Sequence, residues 1–318
     1  PGRYAVTLAS GARADLAVNT RAGVGDFTFP AGSAASLLFR TSNSLNGSED
    51  AQITIDPATR TVSGSVLTGG FCGRRGNGGG AGNPNRRSYY RLYFSAAFDR
   101  DFASTGTWVD SRLTPGGTTA SGGEGYLTGA DRAGRGSGGW VGFDTATDAD
   151  VRMRIGISYV SAAGAAANRD AEVPTGATPE TVGRATRDAW NTELSRIRVT
   201  GGTEARTTAF YTAVYHALMQ PQTMNDLDGR YLGADLRVHR LRPGQQAVYG
   251  TFSGWDQYRA QIQLLGLLRP DVAGDMATSM LDFAAQNNGI WDRWLHLGAP
   301  THVMTGDPAA PTLATWYA

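Results

Sequence analysis

The sequence predicts an antiparallel β-sandwich over residues 1–165, a linker with a connecting helix over 166–200, and a helical domain over 201–318. Three observations predict it. Up to Val160, short runs rich in β-branched and aromatic residues recur between turn signals, with no helical period among them. After Asn168 the apolar spacing changes to that of amphipathic helices. A length of 318 residues suits about two domains at roughly 100–200 residues each.

The strands follow in order: Tyr4–Leu8, Asp26–Phe29, Gln52–Ile55, Thr61–Val66, Tyr89–Phe94 and Val151–Val160. In the last, Val151, Met153, Ile155 and Ile157 share one face and Arg152 and Arg154 the other, the period-2 pattern of a half-buried strand. The chain has 43 glycines, about twice the average usage of roughly 7%, most of them before residue 145. Two Gly-rich segments, Gly69–Asn85 and Thr114–Gly139, read as surface loops. Neither reads as a phosphate cradle, because no helix start or basic anchor follows Gly78–Gly80. Helices are expected over Thr181–Arg198, Thr203–Met219 (ending before Pro221), Trp255–Leu268 (stopped by Pro270) and Asp271–Gln286. In the last, Val272, Met276, Met280 and Phe283 form one stripe.

Composition narrows the function. With 29 basic and 28 acidic residues the net charge is +1, which argues against a nucleic-acid partner. Every basic residue apart from the histidines is Arg, so Schiff-base and P-loop lysine chemistry are excluded. The single Cys72 forms no intrachain disulfide and excludes a cysteine-rich metal site. No apolar run approaches the ~18 residues of a membrane span. The chain opens at Pro1-Gly2-Arg3-Tyr4 without a signal-peptide pattern or initiator Met, and reads as a processed or truncated chain.

Between Phe210 and Ala314, aromatic, Asp and Arg residues crowd the turns: Asn225–Tyr231, Thr251–Arg259, Gly289–Trp294 and Gly306–Pro308. Apolar sugar faces stack on Trp and Tyr, and sugar hydroxyls pair with Asp and Arg, so a carbohydrate pocket requires such a mixture. Any polar small ligand could use the same groups.

Phe210-Tyr-Thr-Ala-Val-Tyr-His216, Asp226-Leu-Asp-Gly-Arg-Tyr231, Thr251-Phe-Ser-Gly-Trp-Asp-Gln-Tyr-Arg-Ala260, Trp291-Asp-Arg-Trp294 and Gly306-Asp-Pro-Ala309 occur in this order. Together they resemble glycoside hydrolase family 92. Upstream, Val62–Val66, Gly70–Cys72, Tyr93–Arg100 and Ile157–Ser161 suit its N-terminal sandwich. The resemblance implies an inverting, calcium-dependent exo-α-mannosidase, with a β-sandwich joined to an (α/α)6 barrel, working in an extracellular or periplasmic setting on mannose-containing glycans. The family's catalytic Glu and Asp lie later in the barrel than these blocks, and no Glu follows Glu204 here. Residues 201–318 are therefore expected to be the first part of such a barrel, to be completed by flanking parts of the same polypeptide. They would supply substrate positioning rather than the acid and base.

The resemblance places Asp256 and Trp255 in the mannose pocket; alternatively Asp256 is a helix N-terminal carboxylate paired with Arg259. Arg293 and Trp294, in a loop after Gly289, face sugar or form a structural stack. Asp307 touches substrate or caps the helix after Pro308. Asp226, Asp228 and Gly229 imitate the start of a calcium loop, but no Glu follows at the EF-hand position, so a solvated turn is the simpler reading. His216 reads as a core residue, His239 as a surface one, and His296 and His302 lie too far apart for a helical zinc pair. Two other readings stay open: a non-catalytic carbohydrate-binding protein, and a different (α/α)6 glycosidase with Asp256 and Asp307 as its carboxylate pair.

Overall fold

A computed structural model describes residues 1–42, 48–69, 89–123, 136–301 and 306–317. Cys72, His302 and most of the first Gly-rich segment lie outside the described residues. The chain divides into two compact units between Arg187 and Asp188.

The first unit contains β1 (Arg3–Thr7), β2 (Arg13–Val18), β3 (Ala22–Thr28), β4 (Ala35–Arg40), β5 (Ser48–Asp56), β6 (Thr61–Gly69), β7 (Tyr89–Phe98), β8 (Ser104–Val109), β9 (Arg112–Pro115), β10 (Thr119–Ser121), β11 (Ser137–Phe143) and β12 (Asp150–Ser158). They form an eight-stranded sheet, β1-β2-β3-β12-β7-β6-β5-β10, and a four-stranded sheet, β4-β11-β8-β9. Both sheets feed one core. Ile53, Ile55, Val62, Ala96, Phe98 and Val151 come from the large sheet, and Ala35, Val141 and Phe143 from the small one. Each is an alternate residue of its strand, as burial of a single sheet face requires. All six expected strands are present. Six others carry no clear alternation in sequence. Three of these, β9, β10 and β11, fall wholly or partly in Thr114–Gly139, which therefore is not one continuous loop.

Glycines of β8 and β11 sit where large rings cross the sheet. A Cβ on Gly106 would meet the Trp140 ring at 1.9 Å, and one on Gly138 the Trp108 ring at 2.2 Å. Across the ladder Gly106 pairs with Trp140 and Trp108 with Gly138. Each indole thus lies over the neighbouring strand's glycine, and the two rings stack with centroids 6.4 Å apart. Glycine here serves close approach rather than a turn.

Two helices belong with these sheets: α1 (Ala162–Glu172) and the first half of α2 (Pro179–Leu194). Ser161 caps α1, its Oγ accepting the Gly164 N–H at 2.9 Å. The buried Arg169 donates to Ser95 Oγ at 2.8 Å and to Asp170. Val173 and Val182 complete a second core with Ala17, Ala22 and Val24. Residues 166–187, expected as linker, are thus part of the first compact unit because they cover one of its apolar surfaces.

The second unit holds the rest of α2, then α3 (Glu204–Ala217), α4 (Gly254–Tyr258), α5 (Gln261–Leu268), α6 (Pro270–Gln286) and α7 (Ala309–Tyr317). Short antiparallel ladders join them: β13 (Gln222–Thr223) with β16 (Tyr249–Gly250), β14 (Arg230–Leu232) with β15 (Val238–Arg240), and β17 (Phe252–Ser253), β18 (Trp294–His296) and β19 (Ala299–Pro300) in a three-stranded sheet. Such two- and three-residue strands are too short for alternation to mark them. The expected helix over Trp255–Leu268 is broken between α4 and α5 at Ala260, whose φ of −152° is not helical. On α6 the buried stripe is Ala273, Met276, Met280, Phe283 and Ala284, close to the expected one, with Val272 only half-buried. Polar side chains of α6 hold the preceding loop. Asp275 accepts from the Gln246 and Ala247 N–H groups, and Ser279 from that of Tyr249.

Arg269 ties α2 to α6. It donates to Glu193 at 2.8 Å and to Asp271 at 2.7 and 2.9 Å. The hydrogen bond from Arg269 holds the Asp271 carboxyl at about 2. Burial alone would raise Glu193, but Arg196 and Arg269 outweigh it and keep this carboxyl low. A carboxyl with a depressed folded pKa stabilises the fold above its unfolded pKa and loses that contribution as pH falls through the folded value. The melting temperature should therefore decline between pH 4.5 and about 2. Arg269→Ala should flatten that decline and cost about 1–2 kcal/mol at pH 7, checked by thermal melts of both proteins across this range.

Candidate functional site

Phe252 and Ser253 of β17 pair with Leu295 and Trp294 of β18. That register sets Ser253 against a tryptophan 41 residues away. The strand pair is entered through Thr251, a β-branched residue at φ +64°. Such a backbone costs on the order of 1–3 kcal/mol. Three hydrogen bonds hold it: the Thr251 N–H donates to Leu297 O at 2.8 Å, while Oγ1 accepts from Leu297 N at 3.1 Å and from Gln222 Nε2 at 2.8 Å.

Gly254 then starts α4. Its N–H donates to Arg293 O at 3.1 Å, and a Cβ there would lie 2.2 Å from Pro308 Cγ and 2.5 Å from Arg293 O. Three blocks distant in sequence therefore meet at one glycine. Immediately after it, Trp255 and Asp256 project from a helix of five residues.

The Arg293 guanidinium is the centre of the cluster. Its side chain is 3% exposed, and its carbon lies 3.9 Å from the Trp255 ring centroid and 5.6 Å from that of Trp294. Nη2 is 3.8 Å from Asp256 Oδ2, whereas Nε and Nη1 are buried without a hydrogen-bond partner. Gln222 Oε1 is a third buried atom of this kind. Unpartnered buried polar atoms are costly and rare, which makes this cluster the candidate site. Asp256 is 52% exposed and binds the Ser253 hydroxyl, which also accepts the Trp294 indole N–H. Beside the cluster lies a cavity of about 20 Å³ lined by Phe252, Ile262, Met280, Ile290, Trp291 and Arg293, room for about one water. Trp291, which lines it, is partly exposed, as is Trp255.

Trp255, Asp256, Arg293 and Trp294 thus come together. Trp294 stands on a strand rather than in a loop, because it continues the ladder begun at Phe252. Asp307 is exposed beside the Pro308 that abuts Gly254. Arg259 is exposed at the end of α4, and the cation facing Asp256 is Arg293 instead. Sequence reasoning missed Ser253, Thr251 and Gln222. A left-handed threonine leaves no mark in sequence, and Ser253 matters only through the register that brings Trp294 to it.

Calcium, implied by the resemblance, finds no fit among the described residues, which contain no group of three His, Cys, Asp or Glu placed for a metal ion. Asp226 is buried in a turn closed by Gly229 N–H to Asp226 O. Asp228 is taken by Arg230, 2.6 Å from its Nε. Burial would raise the Asp228 carboxyl, but the Arg230 backbone N–H and guanidinium outweigh it and hold it low. His216 is exposed rather than in the core, since among α3 residues only Val214 is buried. His239 is half-buried, with Nε2 2.9 Å from Asp235. Burial pushes the His296 imidazole below its ordinary pKa.

Family models decide what kind of chain this is: the N-terminal domain of glycosyl hydrolase family 92 matches residues 1–158, and its catalytic domain residues 164–318. The chain belongs to glycosyl hydrolase family 92. Among solved structures it is similar to a family GH92 α-mannosidase from Bacteroides thetaiotaomicron, at 26% identity and TM-score 0.81 over 99% of this chain. A family GH92 inverting mannosidase from the same organism matches at 23% identity and TM-score 0.80 over 98%, a likeness of fold. The chain spans 39% and 38% of the lengths of these two structures. No curated protein matches it. The mostly β first unit followed by a helical one is the architecture of family 92.

Proposed function

We propose that this family 92 chain carries part of the sugar-binding machinery of an exo-acting, inverting α-mannosidase that works outside the cytoplasm. Its helical unit is the opening part of an (α/α)6 barrel. The observation that carries the reading is the Trp255–Arg293–Asp256 cluster: an aromatic face, a carboxylate open to solvent and a buried guanidinium with unused donors. An aromatic ring takes the C–H face of a pyranose, and the solvent-open carboxylate takes its hydroxyls, while the buried guanidinium backs both groups. Similarity to an α-mannosidase supports mannose as that pyranose. Inverting hydrolysis needs an acid and a base about 6.5–9.5 Å apart across the sugar. Asp256 is assigned to neither role, because it is engaged by Ser253 and Arg293 as a hydroxyl acceptor would be.

Calorimetric titration of the 318-residue chain with methyl α-mannoside should give saturable binding, lost in Asp256→Asn and unaltered by calcium or chelator. Incubation with α-1,2-mannobiose should release no mannose. Failure to bind any mannoside sinks the reading. Release that is lost in both Asp256→Asn and Asp307→Asn would instead favour these two as a catalytic pair.

A further inference from the structure

Ser253 makes three bonds within the cluster. Its backbone N–H donates to Gln257 Oε1 at 3.0 Å, its Oγ accepts the Trp294 indole N–H, and its hydroxyl donates to Asp256 Oδ2. The donor order is forced. An indole nitrogen only donates and a carboxylate only accepts. The serine oxygen must therefore receive the indole proton, and its own single proton must point at Asp256. A hydroxyl that turns freely in water is here fixed from both sides.

That fixation has a consequence for Asp256. The carboxylate projects from a five-residue helix and is half exposed, so little else orients it. Oδ2 faces both the Ser253 hydroxyl and Arg293 Nη2, while Oδ1 has no partner among the described residues. One residue back, the Trp255 ring carries the Arg293 guanidinium on one face and remains 43% exposed. An aromatic face and one carboxylate oxygen are thereby left together for a ligand.

We infer that Ser253 is a positioning residue: its hydroxyl, anchored by the Trp294 indole, holds Asp256 by Oδ2 and presents Oδ1 to a hydroxyl of the sugar stacked on Trp255. This rests on the sugar-binding reading of the cluster. Orientation fixed before binding removes an ordering cost from the ligand's affinity, so loss of the serine hydroxyl should weaken binding without unfolding the chain.

Two measurements on the 318-residue chain test it. The first compares titrations with methyl α-mannoside. Ser253→Ala should bind at least tenfold more weakly, and Ser253→Thr, which keeps the hydroxyl, within about threefold of the parent. Equal affinity in Ser253→Ala overturns the inference. So does a Ser253→Thr that is folded by its melt yet as weak as Ser253→Ala, since packing rather than the hydroxyl would then matter. The second follows the Trp294 indole N–H resonance, assigned with Trp294→Phe. Asp256→Ala should move it, because the serine proton then loses its acceptor; an unmoved resonance overturns the link. A parent chain that binds no mannoside overturns the sugar role. In that event the indole resonance still decides whether the serine joins Trp294 to Asp256.

Discussion

Replacing Arg293 with methionine is expected to raise the melting temperature of the chain while abolishing measurable mannoside binding. The guanidinium is 3% exposed, faces one carboxylate at 3.8 Å, and leaves Nε and Nη1 without partners. Each unmade bond in a buried group costs about 1–3 kcal/mol. A buried ion replaced by an apolar side chain of similar length is often stabilising. Against this stands the loss of stacking on Trp255, worth roughly 0.5–2 kcal/mol. The net gain expected is about 1–2 kcal/mol, or a few degrees in the melt. Arg293→Lys should show no such rise, because it keeps the charge and gives up the planar fork. A melting temperature that falls in Arg293→Met would mean that the cation is a structural strut. Stability conceded at a buried charge is the signature expected of a residue kept for a ligand.

Gly156→Ala should be a strongly damaging single methyl in the first unit, because it presses on a helix backbone. The new Cβ would lie 2.2 Å from Ala165 O, 2.7 Å from Arg169 N and 2.8 Å from Arg169 Cβ. Two of these are backbone atoms of α1, which cannot swing aside as the end of a side chain can. Either α1 lifts from the sheet or β12 bends. Both outcomes disturb the Arg169–Ser95 bond and the Val173 core. Overpacking usually costs about 1–3 kcal/mol, and a contact with backbone belongs at or above the top of that range. The melting temperature should drop by roughly 5–10 °C. Gly274→Ala on α6 is the matched control: nothing lies within 4 Å of its Cβ. A helix-interior alanine there should stabilise by about 0.5–1 kcal/mol. Equal melts for the two variants would show that α1 does not press on β12 as described.

The site was legible in proportion to how local its residues are. Trp255 and Asp256 adjoin in sequence, and their residue types alone suggest stacking and hydroxyl pairing. Arg293 and Trp294 were found for the same reason. The roles of the four were not legible. Asp256 has Arg259 one turn away, yet its cation is Arg293, because α4 ends after five residues and Arg259 turns to solvent. Likewise His216 lies on a helix with a convincing apolar pattern but is exposed, since only Val214 of that helix is buried.

The sequence by itself determined the class of each half and the family. Periods of two and of about 3.6 residues are local properties, and sheets or helices that bury one face must show them. It could not determine which glycine keeps a helix against a sheet, as Gly156 does for α1, or lets Trp108 and Trp140 lie across the strands beside them. Nor could it join Ser253 to Trp294, or Gly254 to Pro308. These contacts bridge 41 and 54 residues, a separation at which spacing carries no periodic trace. Strand register and close packing decide them, and both exist only once the chain has folded.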